Sequence, residues 1–84
     1  MQLVIFLDIE DIDCLGNGVS ANSTMAALIQ YALRLRKDAK ATGRDVFVLC
    51  TELEGRELLA HAQAQCPAAV EKIRRAFPLA GLQP

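Results

Sequence analysis

LVIFLDIEDIDCLGNG, residues 3 to 18, passes from an apolar run into four carboxylates and then a glycine-rich turn. The point where this strand ends, and the form of the segment after it, decide how the rest of the chain is laid down. Residues 2 to 9, rich in Val, Ile and Phe, predict a short strand covered on both faces. Between Glu10 and Asn22 two readings stand. Ile12, Cys14 and Val19 form a short second strand around the Asn17-Gly18 turn signal, or the whole segment is a long loop.

Further along, Met25, Leu28, Ile29, Ala32, Leu35 and Ala39 recur at helical spacing over residues 23 to 42, with Ser23 as N-cap and Gly43 just past the end. Residues 45 to 50, DVFVLC, repeat the buried-strand pattern, and one long helical connection predicts two parallel strands with a right-handed crossover. Thr51-Glu52-Leu53-Glu54 fits a capping box, so a helix starts at once, with Leu58, Leu59, Ala62 and Cys66 inward. Pro67 suits the first turn of a new segment carrying Val70, Ile73, Ala76 and Phe77, which Pro78 ends. Residues 81 to 84 are expected to fray. No internal repeat is visible. The expected architecture is one α/β domain over residues 1–84: a small βαβα unit with a short, mainly parallel sheet and two helical regions, the second kinked near Pro67.

The 84 residues are 52% apolar and 23% charged with net charge -1, which excludes a disordered chain and a polyelectrolyte binder. Cys14, Cys50 and Cys66 are an odd set without close spacing, so no disulfide framework or zinc knuckle is expected and a reducing compartment is the default. The apolar start meets Asp8 too soon for a signal peptide or membrane span, and the expected location is cytoplasmic.

Asp8, Glu10, Asp11 and Asp13 crowd the carboxyl end of the first strand, where open α/β sheets keep ligand crevices. If the chain stays extended, Asp8 and Glu10 share one side, the pair that would hold Mg²⁺ if any does. The alternative is solubility and partner contact where a buried strand reaches water. GNGVSA, residues 16 to 21, matches G-x-G-x-x-A before a helix, making Gly16, Gly18, Ser20 and Ser23 weak candidates for a phosphate or nucleotide. No P-loop sequence is present. Arg34, Arg36, Lys37, Lys40 and Arg44 cluster near a helix C-terminus, where cations also offset the dipole; without aromatic platforms and with a near-neutral charge, nucleic acid is not the expected partner. His61 stands without a zinc-like neighbour and reads as a helix-surface residue.

These motifs carry two resemblances. LDIEDIDCLGN and the helix and strand MAALIQYALRLRKDAKATGRDVFVLC resemble STAS domains (sulfate transporter and anti-sigma factor antagonist), in which this stretch leads to a phosphoacceptor serine; Ser20 or Ser23 would stand there, although a cap explains Ser23. VIFLDIE and VFVLCT resemble the first two motifs of haloacid-dehalogenase-like phosphohydrolases. That resemblance implies Asp8 as nucleophile, Glu10 in place of the usual aspartate acid/base, and Thr51 on phosphate, but the family's lysine and final acidic motifs are missing.

No motif assembles a complete site. The expected function is therefore a non-enzymatic protein-interaction or regulatory module without cofactor. The alternatives are an incomplete or partner-completed phosphohydrolase-like domain using Asp8, Glu10 and Thr51, and a small phosphate-ligand or nucleotide binder. Asp8, Glu10, Asp11, Asp13, Tyr31, Arg34 and Lys37 are the candidate partner contacts. Strands without internal proline or lysine, and Tyr31 and Leu33 lying off the main helical stripe, point to a homodimer using Tyr31 or a strand edge.

Overall fold

The computed structural model describes residues 2–77. The chain runs β1 (Gln2–Asp8), α1 (Ile9–Gly16), α2 (Thr24–Asp38), β2 (Asp45–Thr51), α3 (Glu52–Gln65) and α4 (Pro67–Arg74). The stop at Pro78 and the fraying of residues 81 to 84 lie outside the described residues.

The two strands are antiparallel, not parallel, with Gln2 opposite Thr51 and Asp8 opposite Asp45. The cause is the segment after Asp8, which is neither a strand nor a loop but helix α1. Asp8 caps it: its carboxylate accepts from the Asp11 amide at 3.0 Å, and the Asp11 carboxylate accepts from the Asp8 amide at 3.0 Å. Ile9, Ile12 and Leu15, three apart, then pack on the core. With two helices between the strands in place of one, the chain re-enters the sheet at Asp45, the end it left at Asp8.

Strand burial alternates. Leu3, Ile5 and Leu7 on β1, with Val46, Val48 and Cys50 on β2, face the helices and are buried. The other face is not covered by any described residue, contrary to the expectation of strands buried on both sides. Phe6, expected in the core, is 65% exposed there. The architecture is thus two layers, four helices on one face of a two-stranded sheet, around a single buried cluster.

Helix ends follow local chemistry. Ser23 caps α2 through a 3.1 Å bond from the Ala26 amide, and Thr51 and Glu54 form the expected capping box on α3. The break at Cys66 with Pro67 opening α4 is also as expected. The C-terminus of α2 is not. The helix stops at Asp38, and Lys40, at φ 53°, takes the left-handed position usually held by glycine. Ala41 N–H reaches the Arg36 carbonyl and Lys40 N–H reaches the Lys37 carbonyl, a Schellman closure. Gly43 lies beyond it and accepts from the Arg36 guanidinium. Lys40→Gly is expected to raise stability by about 1 kcal/mol, the usual penalty for a side chain at such a φ, read as a higher urea midpoint.

A buried glycine sets how closely α3 approaches the sheet. A Cβ on Gly55 would fall 2.8 Å from Leu3 Cδ1 and 3.0 Å from Phe77 Cζ. Overpacking of this kind costs about 1–3 kcal/mol, against about 1 kcal/mol recovered from alanine's better helix propensity. Gly55→Ala should therefore lower the melting temperature modestly. An unchanged melt would mean Leu3 and Phe77 move aside freely.

Although the sequence shows no repeat, the structure does. Element starts step from 2 to 45 for the strands, 9 to 52 for the helices that follow them, and 24 to 67 for the second helices. The interval is the same each time. Both strands also pass directly into a helix through a capping box on their last residue, Asp8 or Thr51. The chain is two βαα halves whose strands pair antiparallel.

Candidate functional site

The acidic strand end is divided between two cations. Lys72, reaching from α4, donates to Asp11 Oδ2 at 2.7 Å and lies 3.6 Å from Asp8 Oδ2. Glu10 turns the other way, 2.5 Å from the Arg44 guanidinium. Asp8 and Glu10 therefore do not form a pair on one side. Helix α1 breaks the strand alternation, so that Asp8 meets Asp11 instead. Asp13 is exposed. Among the described residues no group of three or more His, Cys, Asp or Glu is arranged to hold a metal ion.

The hydrogen bond from the Asp11 amide holds Asp8 below the ordinary carboxylate value of 3.8; partial burial opposes this and the Lys72 charge adds to it. Lys72 is held above its ordinary 10.5, first by its hydrogen bond to Asp11 and then by the neighbouring carboxylate charges. These two directions give the sign of this pair's contribution to the pH dependence of stability. Asp8's contribution is present above pH 3.8 and is lost as pH falls through the depressed folded value. Lys72's contribution is complete below pH 10.5 and is lost as pH rises through the raised folded value. Burial likewise raises the Cys50 thiol above its ordinary 9.0, so its contribution is lost first on the alkaline side. Urea unfolding is expected to show a plateau from pH 3.8 to 9.0, and Lys72→Met to reduce the alkaline loss above pH 10.5 and soften the acid edge. An alkaline edge unchanged in Lys72→Met would place its origin elsewhere.

Thr51 is far from this group. The register sets it opposite Gln2, at the other end of strands seven residues long, so roughly 20 Å of strand separates it from Asp8. Asp8, Glu10 and Thr51 do not converge. Gly16 ends α1, and Gly18, Ser20 and Ser23 lie on the connection from it to α2; the Asn17-Gly18 turn leaves a helix where a hairpin was one of the expectations. Ser23 donates to the Ser20 carbonyl at 2.7 Å while capping α2, so its hydroxyl is engaged in the fold. Arg36 and Arg44 are also engaged, while Tyr31, Arg34 and Lys37 lie exposed along α2.

Two links escape the sequence. Cys14 and Cys66 are joined as a disulfide across 52 positions, leaving Cys50 free and buried. The expectation that these cysteines form no disulfide framework is corrected by this one bond: spacing along the chain says nothing of the α1 turn that brings Cys14 to the α3–α4 break. His61 is not a bare surface histidine. Its Nε2 lies 2.7 Å from the Leu15 carbonyl, and since a carbonyl only accepts, Nε2 carries the hydrogen.

The remaining feature is the open sheet face. Its cross-strand pairs are Val4 with Leu49 and Phe6 with Phe47. The two phenyl rings meet edge to face, centroids 5.2 Å apart at 86°. Val4 and Phe47 are 43% and 52% exposed. Among the described residues both strands have an unpaired edge, and each edge borders a groove of about 280 Å³. One is lined by Val4, Phe6, Lys72, Arg75 and Ala76, the other by Phe47, Asp45 and the C-terminal half of α2. The alternation of β1 with Phe6 on its outer register was the available signal for this face.

Comparison of the chain with known protein families, curated proteins and solved structures finds no match. No helix among the described residues is long and apolar enough to cross a membrane.

Proposed function

We propose that this chain is a non-enzymatic interaction module that acts by binding protein through the open face of its sheet. One observation carries the reading: Val4, Phe6 and Phe47 stand exposed together on a sheet whose two edges are unpaired among the described residues, the combination that sheets otherwise cover or pair. The acidic strand end supports the same reading, because its carboxylates are spent on the α1 cap, Lys72 and Arg44. Asp13, Tyr31, Arg34 and Lys37 remain as secondary contacts. No observation favours the phosphohydrolase or the phosphate-ligand alternative.

A photoreactive phenylalanine analogue at position 47, expressed in the native host, tests this. A discrete covalent protein adduct, absent when the analogue replaces Gln63 on the helical side, is expected. A chain that crosslinks to no protein from position 47 would end the proposal.

A cytoplasmic location requires Cys14 and Cys66 to be thiols, since disulfides persist in oxidising compartments. Acid quenching of the host followed by alkylation in denaturant decides it: three modified cysteines fit the cytoplasm, and a single one, Cys50, an oxidising compartment.

A further inference from the structure

Resting on that reading, we infer that the occupant of the open face is a second copy of this chain, the two sheets stacking about a two-fold axis that crosses the strands. The face is self-complementary. Phe6 is a projecting ring, 65% exposed, and beside Val4 lies a groove of about 280 Å³ walled by Ala76, Lys72 and Arg75. A two-fold across the strands, centred near Ile5 and Val48, reverses β1 over its own copy. Each Phe6 then lies over the other copy's Val4 and its groove, and each Phe47 over the other copy's Leu49. Knob and groove are filled twice in one contact.

Charge selects this axis over the alternative. One end of the face carries Asp8 and Asp45, the other Gln2 and Thr51. A two-fold running along the strands would lay both acidic ends on each other, four carboxylates at one edge, whereas a two-fold across them sets each acidic end on a neutral one. The open area lies at the low end of what association uses. Val4, Phe6 and Phe47 together leave on the order of 300 Å² of apolar surface open per copy. The flanking Gln2, Leu49, Thr51, Lys72, Arg75 and Ala76 raise this toward the roughly 500 Å² per partner that a specific interface needs at its lower limit.

The test begins with the solution mass of the oxidised full chain over a concentration series, by sedimentation or light scattering. A dimer is expected, with Phe6→Asp and Phe47→Asp each weakening association at least a hundredfold while retaining the wild-type circular dichroism spectrum. Gln63→Asp, exposed on α3 and lining neither groove, should dimerise as the wild type does. Orientation is read by mixing separately labelled Gln2→Cys and Asp45→Cys chains with a short bis-maleimide: crosslinks between the two variants are expected in preference to Asp45→Cys with itself. A wild-type monomer at the highest concentration, a dimer that survives Phe6→Asp, or a preference for self-crosslinking of Asp45→Cys would each overturn the inference. A monomer whose position 47 still captures a different protein would do so without touching the proposed function.

Discussion

Reduction of the Cys14–Cys66 disulfide is expected to lower the unfolding free energy by about 4 kcal/mol, the loop-closure value for a bond spanning 52 positions. A domain of this length has roughly 4–12 kcal/mol in all, so the reduced chain should lie near its unfolding threshold at body temperature. Urea titrations with and without a dithiol measure the difference directly. The bond also fastens α1 to the break between α3 and α4, alongside the hydrogen bonds from Lys72 to Asp11 and from His61 to the Leu15 carbonyl. Cys14 is exposed and Cys66 buried, so the reductant attacks at Cys14. Cys50 does not confuse the assay, because burial pushes its thiol pKa up and keeps it slow to react. A reduced protein with the same urea midpoint as the oxidised one would show that packing alone holds these elements.

Ile5 and Phe6 are neighbours in sequence with opposite expected outcomes. Ile5 is fully buried at the middle of β1, facing the helices, and Ile5→Ala should cost about 2–5 kcal/mol through lost transfer energy and the cavity left behind. Phe6 points the other way. At concentrations too low for association, Phe6→Ala loses only its edge-to-face contact with Phe47 and should cost about 1 kcal/mol. Chemical denaturation of both variants at one low concentration checks the pair. Equal losses would mean that the strand does not alternate as described.

Much of this fold was legible in the chain. Both strands, the Ser23 and Thr51 caps and the Pro67 break are consequences of local chemistry, and local chemistry is what spacing reports. The antiparallel pairing was missed for a local reason too: Asp8 with Asp11 is a capping box written with two aspartates, and Ile9, Ile12 and Leu15 follow at helical spacing, but carboxylates at a strand end read equally well as ligands. The open face could have been read from the outward register of Val4 and Phe6, had the run VIFL not looked apolar throughout. The disulfide and the His61 contact with Leu15 join residues far apart in the chain, and no pattern within either segment encodes such a meeting.

The two βαα halves bear on how the chain keeps to itself. Each half offers the strand that the other requires, so two copies in contact while partly open have a second way to satisfy the sheet, trading halves across the segment between α2 and β2. Every native pairing would survive such an exchange. Cys14 lies in the first half and Cys66 in the second, so their bond records which chain supplied which half. Once oxidised within one chain it forbids the trade, and if oxidised after the trade it makes the entanglement permanent, visible as a covalent dimer that a thiol dissolves. The timing of oxidation relative to folding thus governs whether this protein remains separable.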